Sequence, residues 1–156
     1  MSNELDISRT EAAELISNYF NTYPGIRNYL DETIAFAREH KYVQTLYGRK
    51  RPVPDIDASN RMSREGAERI ATNMPIQGTA ADIIKKAMIL VHNRIQAEGL
   101  NTKMILQVHD ELVFEVPDDE VKPVSELVRE TMEHAVELDI PLTVDIGIGD
   151  NWLEAH

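Results

Sequence analysis

Apolar and polar residues alternate in two neighbouring stretches of the chain, residues 104–108 and 112–116. A period of two is typical of half-buried β-strands, because successive side chains of a strand point to opposite faces. Each stretch is therefore predicted to be a strand that places its apolar residues on one face. These apolar residues are Met104, Leu106 and Val108 in the first strand and Leu112, Phe114 and Val116 in the second. Between them, His109, Asp110 and Glu111 are predicted to form the tip of a tight β-hairpin.

Helical spacing of apolar residues predicts most of the remaining structure. Ser8 and Glu11 have the spacing of a capping box, in which each side chain binds a free backbone N–H at the start of a helix. Ser63 is predicted to cap a later helix, and Pro75 to kink that helix or to begin a new one. The predicted helices span residues 9–22, 25–41, 63–73, 77–97 and 118–138.

Two further strands are predicted at residues 42–46 and 141–148, and Pro141 marks the start of the second. Residues 51–60 contain two prolines and little periodicity, so they are predicted to be a loop. The order of elements is helices followed by β-β-α-β. We therefore expect an α+β fold in which an antiparallel sheet, with the acidic hairpin in it, packs against long helices.

The composition excludes several classes of protein. A chain of 156 residues fits one compact domain or two small lobes. It contains no cysteine, which excludes disulfides and thiolate zinc sites and is consistent with a reducing cytoplasm. No apolar run approaches the ~20 residues of a membrane span, and the N-terminus lacks the pattern of a secretory signal. We expect no membrane association.

The charge of the chain is acidic but unevenly distributed. A net charge of −11 argues against a free-standing DNA-binding domain, which is usually basic. Much of the acidic excess lies in residues 111–139, which are predicted to form a solvated face. Residues 38–69 are locally basic, and this part of the chain could face phosphate groups. Its basic residues are Arg38, Lys41, Arg49, Lys50, Arg51, Arg61, Arg64 and Arg69.

Two groups of polar residues are candidates for chemistry. Asp110 and Glu111 concentrate negative charge at one point, which suits Mg²⁺ bound by one or two carboxylates, water and substrate phosphate. The alternative is a solvated hairpin turn, since Asp is common in turns. Arg69, Asn73 and Gln77 are spaced four residues apart, so on a helix they share one face. That face could donate hydrogen bonds to phosphate, sugar and base edges, or be a polar outer stripe.

Two longer strings resemble a known family. Residues 69–88 read Arg-Ile-Ala-Thr-Asn-Met-Pro-Ile-Gln-Gly-Thr-Ala-Ala-Asp-Ile-Ile-Lys-Lys-Ala-Met, and residues 107–116 read Gln-Val-His-Asp-Glu-Leu-Val-Phe-Glu-Val. Together they resemble the C-terminal end of family-A DNA polymerases, the bacterial DNA polymerase I type, and the resemblance extends over essentially the whole chain. It implies residual fingers helices and a connecting loop in residues 1–62, and the C-terminal part of the palm subdomain in residues 63–156.

The resemblance also implies an activity and a set of roles. The activity is DNA-directed DNA polymerisation in replication and repair, by two-metal transfer of a nucleotide to a primer 3′-hydroxyl. Asp110 is the implied catalytic ligand of the Mg²⁺ pair, with Glu111 as an auxiliary acid. The implied DNA-binding residues are Gln107 and His109 near the primer terminus, and Arg69, Asn73 and Gln77 in the minor groove. Primer-template DNA and deoxynucleoside triphosphates are the implied partners, and the bacterial cytoplasm is the implied location.

The chain departs from the family pattern in two places. The family's first motif, a strand with another metal-binding aspartate, is missing, and so is the nucleotide-binding helix. Residues 6–11 read Asp-Ile-Ser-Arg-Thr-Glu and resemble the first motif, but Ser8 and Glu11 make better sense as a capping box. We therefore expect the isolated chain to lack polymerase activity. We also expect it to self-associate through apolar sheet surface that the missing strands would cover.

Two other functions are alternatives. One is a non-catalytic DNA-binding or interaction module derived from a polymerase, in which the helical polar face persists without chemistry. The other is a metal-dependent phosphohydrolase in which His92 or His134 joins the pair His109 and Asp110. Those enzymes place their ligands on helices, so the predicted strand position of His109 disfavours the second alternative.

Overall fold

The computed structural model describes residues 8–155, which form five α-helices and two small antiparallel sheets. The helices are α1 (Arg9–Thr22), α2 (Pro24–His40), α3 (Arg61–Ala97), α4 (Val121–Glu133) and α5 (Trp152–Ala155). The strands are β1 (Tyr42–Gln44), β2 (Lys50–Pro52), β3 (Lys103–Val108) and β4 (Glu111–Glu115). This arrangement confirms the predicted α+β fold. The chain divides within α3, after Ile76, into two compact units. None of these helices is long and apolar enough to cross a membrane.

The start of α1 confirms the capping box. The Glu11 backbone N–H donates to Ser8 Oγ at 3.2 Å, and the Ser8 N–H donates to Glu11 Oε2 at 2.8 Å. These hydrogen bonds favour the ionised carboxylate and lower the pKa of Glu11. Both residues therefore serve the start of a helix rather than the polymerase motif that residues 6–11 resemble. Asp6 and Ile7 of that string lie outside the described residues.

The first unit is held together by a core that α2, β1 and the first half of α3 share. Its buried members are Ala37, Val43, Val53, Ile56, Ala67, Ala71 and Met74. Ala67 and Ala71 are one helical turn apart, so they lie on the same face of α3. Their small side chains let neighbouring elements pack close to the helix backbone.

A short hairpin, β1 paired with β2, follows α2, and the sequence predicts it only in part. β1 is shorter than predicted, and β2 includes the first two residues of the predicted loop. Residues 50–52 read Lys-Arg-Pro and show no alternation, so no strand pattern is visible there. A tight turn imposes the pairing: the Thr45 N–H donates to the Arg49 carbonyl at 2.9 Å. Gly48 has a φ of +82° within this turn, a conformation that glycine adopts at little cost.

α3 is one helix of 37 residues, where two helices were expected. Asn60 caps it, because Asn60 Oδ1 accepts hydrogen bonds from the backbone N–H groups of Met62 at 2.9 Å and Ser63 at 3.2 Å. The prediction that Ser63 is the cap is wrong, since Ser63 lies in the first turn. Pro75 lies inside the helix without ending it. Proline removes one backbone hydrogen bond, and burial of the apolar face on both sides of it holds the helix together.

The second unit has its own core, which α3, α4 and the β3–β4 hairpin build. Its buried members are Val91, Ile95, Val124, Leu127 and Val128. Partly buried residues that pack against this core are Leu100, Met104, Phe114, Val116 and Met132. α4 ends at Glu133, five residues before the predicted end, and no Gly or Pro marks the stop.

The hairpin contains an irregularity that the alternation of residues does not reveal. Met104 pairs with Phe114, whereas Leu106 pairs with Val113, so Ile105 is an extra residue in β3. Such a β-bulge moves the following side chains to the other face of the strand. Met104 and Phe114 therefore face the core, while Leu106 lies on the opposite face and is 49% exposed. The prediction that all the apolar residues of β3 share one face is wrong.

Residues 141–148 do not form the predicted strand. Their burial alternates as expected, since Leu142, Val144 and Ile146 are half-buried between exposed neighbours. A strand also needs the backbone of a neighbour, and in the described part of the chain β4 pairs with β3 alone. The Val144 N–H instead donates to Glu133 Oε1 at 3.1 Å. An open groove of about 960 Å³ is lined by β4 on one side and by this segment on the other.

Glu120 joins the start of α4 to the start of the hairpin. The residue is buried, and its Oε1 accepts hydrogen bonds from the Asn101 backbone N–H at 2.8 Å and from Asn101 Nδ2 at 3.0 Å. Its Oε2 accepts from the Thr102 N–H at 3.0 Å and from Thr102 Oγ1 at 2.7 Å. These hydrogen bonds, chiefly the one from the Asn101 backbone N–H, lower the pKa of Glu120. Burial alone would raise it.

We expect Glu120→Gln to lower the melting temperature by roughly 5 °C at pH 7, because an amide cannot accept four hydrogen bonds. Since folding lowers the pKa, the carboxylate stabilises the protein above the ordinary pKa of Glu. That stabilisation is lost as the pH falls through the lowered pKa. The difference in melting temperature between the two proteins should therefore shrink below about pH 4. Circular dichroism measures both temperatures.

Glu126→Gln is the matched control, because Glu126 is exposed on α4, the helix that follows Glu120. It should change the melting temperature little at either pH. Equal losses for the two variants would contradict the role of Glu120.

Candidate active site

The tip of the β3–β4 hairpin is a two-residue turn. Val108 and Glu111 form its last pair, which leaves His109 and Asp110 as the turn. His109 has a φ of +52°, a left-handed conformation that costs about 1–2 kcal/mol for a residue other than glycine. A positive φ at the first of two turn residues is typical of a type II′ hairpin, which favours glycine there. Gln107 Nε2 donates to the His109 carbonyl at 2.9 Å, so the predicted hairpin residues lie together in one strained turn.

The carboxylates of the turn fit a magnesium ion only in part. Asp110 is exposed and Glu111 is half-buried, so both can meet a ligand from solvent. Asp145 and Asp150 line the groove beside β4 that Asp110 and Glu111 also line. The sequence did not mark them as candidates, because Asp145 lies in a stretch whose alternation predicts a strand. Within residues 8–155, however, no three His, Asp or Glu side chains are close enough to hold a metal ion. The turn therefore supplies the right kind of ligand but too few ligands for a complete site.

The polar face of α3 is exposed, as its spacing predicts. Arg69, Asn73 and Gln77 are all exposed; the first two belong to the first unit, and Gln77 begins the second. Arg69 lines a shallow groove of about 400 Å³ in the first unit. The pKa of Glu65, one turn earlier, is lowered chiefly by Arg61, whose Nε lies 2.6 Å from Glu65 Oε1. That carboxylate is therefore engaged by Arg61 rather than by Arg69.

The other histidines do not extend the acidic site. His92 is exposed on α3, and His134 follows the last residue of α4, with Nδ1 2.8 Å from the Glu130 carbonyl. Neither belongs to a group of three potential metal ligands among the described residues. Nothing in this part of the chain favours the phosphohydrolase alternative.

Comparison with known proteins assigns the chain to a family. The family model for DNA polymerase family A matches residues 1–154, and the chain belongs to that family. It is 51% identical over 154 residues to DNA polymerase I of Deinococcus radiodurans, and 50% identical over 155 residues to DNA polymerase I of Streptococcus pneumoniae. Each match covers 99% of this chain but only 16% and 18% of the two relatives. The chain thus spans about one sixth of their length.

A solved structure shows the same fold. It is the POL domain of Pol1 from M. smegmatis in complex with DNA primer-template and dNTP, with a TM-score of 0.95 and 47% sequence identity. The match covers 99% of this chain and 27% of that one. The resemblance to bacterial DNA polymerase I is thereby confirmed for both sequence and fold.

We expect His109→Val to be less stable than His109→Gly by about 1–2 kcal/mol. A β-branched residue fits the left-handed conformation poorly, whereas glycine adopts it freely. Urea denaturation of the two variants measures the difference in the free energy of unfolding. Both curves are fitted with the same dependence of that free energy on urea concentration. The same pair of substitutions at Gln107, within β3, should give the opposite order. Equal stabilities of the two His109 variants would refute the proposed strain.

Proposed function

We propose that this chain is the part of a family-A DNA-directed DNA polymerase that carries one metal-binding turn and a DNA-contacting helix face. The reaction is template-directed transfer of a nucleotide to a primer 3′-hydroxyl, in DNA replication and repair. The observation that carries the proposal is the exposed Asp110 in a strained turn, followed directly by the half-buried Glu111 at the start of β4, in a chain of this family. The M. smegmatis relative was solved with primer-template DNA and dNTP, which supports the same partners here.

The hairpin turn contributes a metal ligand and holds the neighbouring side chains in place. Asp110 is the principal Mg²⁺ ligand and Glu111 an auxiliary acid, and the two-metal site is completed only by further carboxylates of the complete enzyme. Bound Mg²⁺ supplies positive charge that stabilises the negative charge developing on the transferred phosphate. Gln107 holds the His109 carbonyl and so fixes the direction of the turn. His109 is then placed to meet the primer terminus.

The polar face of α3 reads the shape of the newly formed base pair. The minor groove presents acceptors at similar places in every base pair. Arg69, Asn73 and Gln77 carry guanidinium and amide donors and are exposed along α3. They can therefore test whether a pair has the right shape without reading its sequence.

In this proposal, residues 1–62 are residual fingers helices with a connecting loop, and residues 63–156 are the C-terminal part of the palm. This functional boundary lies near the start of α3, whereas the compact units separate later in the same helix. The bacterial cytoplasm is the location that such a function requires.

The chain by itself is proposed to be inactive and prone to self-association. Two neighbouring carboxylates are too few for a pair of Mg²⁺ ions, and a groove lies open beside β4. Ile105 and Leu106, on β3, are 56% and 49% exposed, and they are apolar. We expect sedimentation of the isolated chain to show species larger than a monomer.

Activity is best tested in a chimaera. We expect the Deinococcus radiodurans polymerase to extend a primer when its matching segment is replaced by this chain. Asp110→Asn in that chimaera should lower the extension rate by at least roughly 100-fold, because a metal ligand is lost. The isolated chain should give no extension with Mg²⁺ and all four deoxynucleotides. Gel analysis of a labelled primer measures each rate.

Asp119→Asn is the control for this substitution, because Asp119 is an exposed acid of the same charge away from the turn. The Asp119→Asn chimaera should keep its rate. An active Asp110→Asn chimaera would refute the catalytic role of Asp110, and extension by the isolated chain would refute its inactivity.

The non-catalytic alternative draws on the exposed polar face of α3 and on the incomplete metal site. We expect Arg69→Ala to weaken binding of the isolated chain to primed DNA roughly tenfold. Arg129→Ala, an exposed cation on the acidic helix α4, should leave it unchanged. Fluorescence anisotropy measures both affinities. Loss of binding with Arg69→Ala, combined with an active Asp110→Asn chimaera, would favour the DNA-binding module over the polymerase.

A further inference from the structure

The β3–β4 hairpin is held firmly at the end that lies away from the acidic turn. Thr102, which is 4% exposed, donates its backbone N–H and its hydroxyl to the buried carboxylate of Glu120. Further along β3, Met104 pairs with Phe114, and both pack against the core of the second unit. This base of the hairpin therefore has a fixed position against α3 and α4.

The part of β3 that leads from the base to the turn has much less support. None of the residues from Ile105 to Asp110 is buried. In the described part of the chain, β3 pairs with β4 alone, so no third strand holds it in place. The direction of this part is therefore set chiefly by the backbone at the point where it leaves the base.

The β-bulge lies at that point. Met104 pairs with Phe114 and Leu106 with Val113, which leaves Ile105 as the extra residue of β3. A bulge bends its strand and increases the local twist. The Ile105 side chain is 56% exposed, so its own burial does not explain why the strand contains an extra residue.

Deletion of Ile105 would leave a regular ladder without moving any other residue to the opposite face. Met104 would still pair with Phe114, and Leu106 with Val113, now as consecutive pairs. The core contacts of the base and the pairing near the turn thus do not require the extra residue. The feature that the extra residue changes is the direction of the strand beyond it.

The turn lies far enough from the bulge for a small bend to matter. At about 3.3 Å per residue, the stretch from Ile105 to His109 places the turn roughly 13 Å beyond the bulge. A change of ~10° in direction over that length would move the turn by about 2 Å. A displacement of about 1 Å at a reacting group can cost roughly 100-fold in rate, so a bend of this size would decide activity.

We infer that Ile105 is a positioning residue, because the bulge that it forms aims the Asp110 carboxylate at the reacting phosphate. This inference rests on the proposed function, in which Asp110 binds Mg²⁺. Ile105 acts through the backbone of β3 rather than through its side chain. Another residue that keeps the bulge and the restricted backbone of a strand should therefore replace it.

The direction of the turn can be measured in the isolated chain, which contains no cysteine that would compete for a spin label. Labels on Asp110→Cys and Glu126→Cys connect the turn to an exposed position of α4. Double electron–electron resonance gives the distance between them, and unlabelled chain is added in excess so that pairs between copies do not contribute. We expect deletion of Ile105 to change this distance by about 2 Å. Labels on Lys103→Cys, which lies before the bulge, and Glu126→Cys should keep their distance.

The effect on the reaction is measured in the Deinococcus radiodurans chimaera. Deletion of Ile105 should lower the rate of primer extension by at least roughly 100-fold. The Mg²⁺ concentration that gives half the maximal rate should rise roughly tenfold, because a misdirected ligand binds the metal more weakly. A residue that served stability alone would change neither value in a protein that circular dichroism shows to be folded. The conservative variant Ile105→Val keeps the bulge and should retain both values.

Ile105→Gly covers the case in which the deletion prevents folding. Glycine keeps the extra residue but frees the backbone at the bulge. The distances between the labels at positions 110 and 126 should then spread over a wider range. The rate of extension should fall roughly tenfold below that of Ile105→Val. Equal rates for the glycine and valine variants would overturn the inference.

Two results with the deletion variant would also overturn the inference. One is an unchanged distance between the turn and α4 in the folded chain. The other is a changed distance in a chimaera that still extends the primer at the full rate. An active Asp110→Asn chimaera would refute the proposed function as well, whereas the label distances would still show whether the bulge directs the turn.

Discussion

The β3–β4 hairpin depends on the burial of one of its faces against α3 and α4. Met104 and Phe114 supply that face, and they reach the core together because Ile105 is an extra residue in β3. Without the bulge, Met104 would lie with Leu106 on the outer face, and Ile105 would take its place opposite Phe114. Glu120 fixes the start of the same hairpin through four hydrogen bonds. The core packing and the buried carboxylate therefore both hold the end of the hairpin that lies opposite the acidic turn.

Local signals in the sequence predict much of the fold. The capping box at Ser8, the long helical stretch after Gln77 and the two-strand hairpin all come from contacts between residues close in sequence. The missed features depend on backbone pairing, which the alternation of residues does not reveal. β2 pairs because a turn brings it back to β1, and the segment from residue 141 lacks the neighbour that would make it a strand. The bulge at Ile105 leaves no mark in the alternation, because isoleucine suits either face of a strand.

The sequence predicts some residues of the candidate site and misses others. Asp110 and Glu111 stand out because two acids interrupt an apolar alternation. The structure places Asp110 in the expected turn, but Glu111 is already the first residue of β4. The positive φ of His109 was not predicted, since histidine is only a weak signal for that conformation. Asp145 and Asp150 were missed because acids in an exposed stretch are common, and only the folded chain places them along the groove.

The free edge of β4 cannot pair equally well with every strand. Three apolar residues, Leu112 to Phe114, lie between Glu111 and Glu115. If two copies of this strand paired antiparallel about Val113, each Glu111 would face a Glu115 of the other copy, and the like charges would repel. Acids at both ends thus protect this edge from its own duplicate, as charged residues do on other exposed strands, so the proposed self-association would use the exposed Ile105 and Leu106 of β3 instead. A strand without acids at the positions opposite Glu111 and Glu115 would not be repelled in this way. The charges at the edge of β4 therefore select which strands can pair with it.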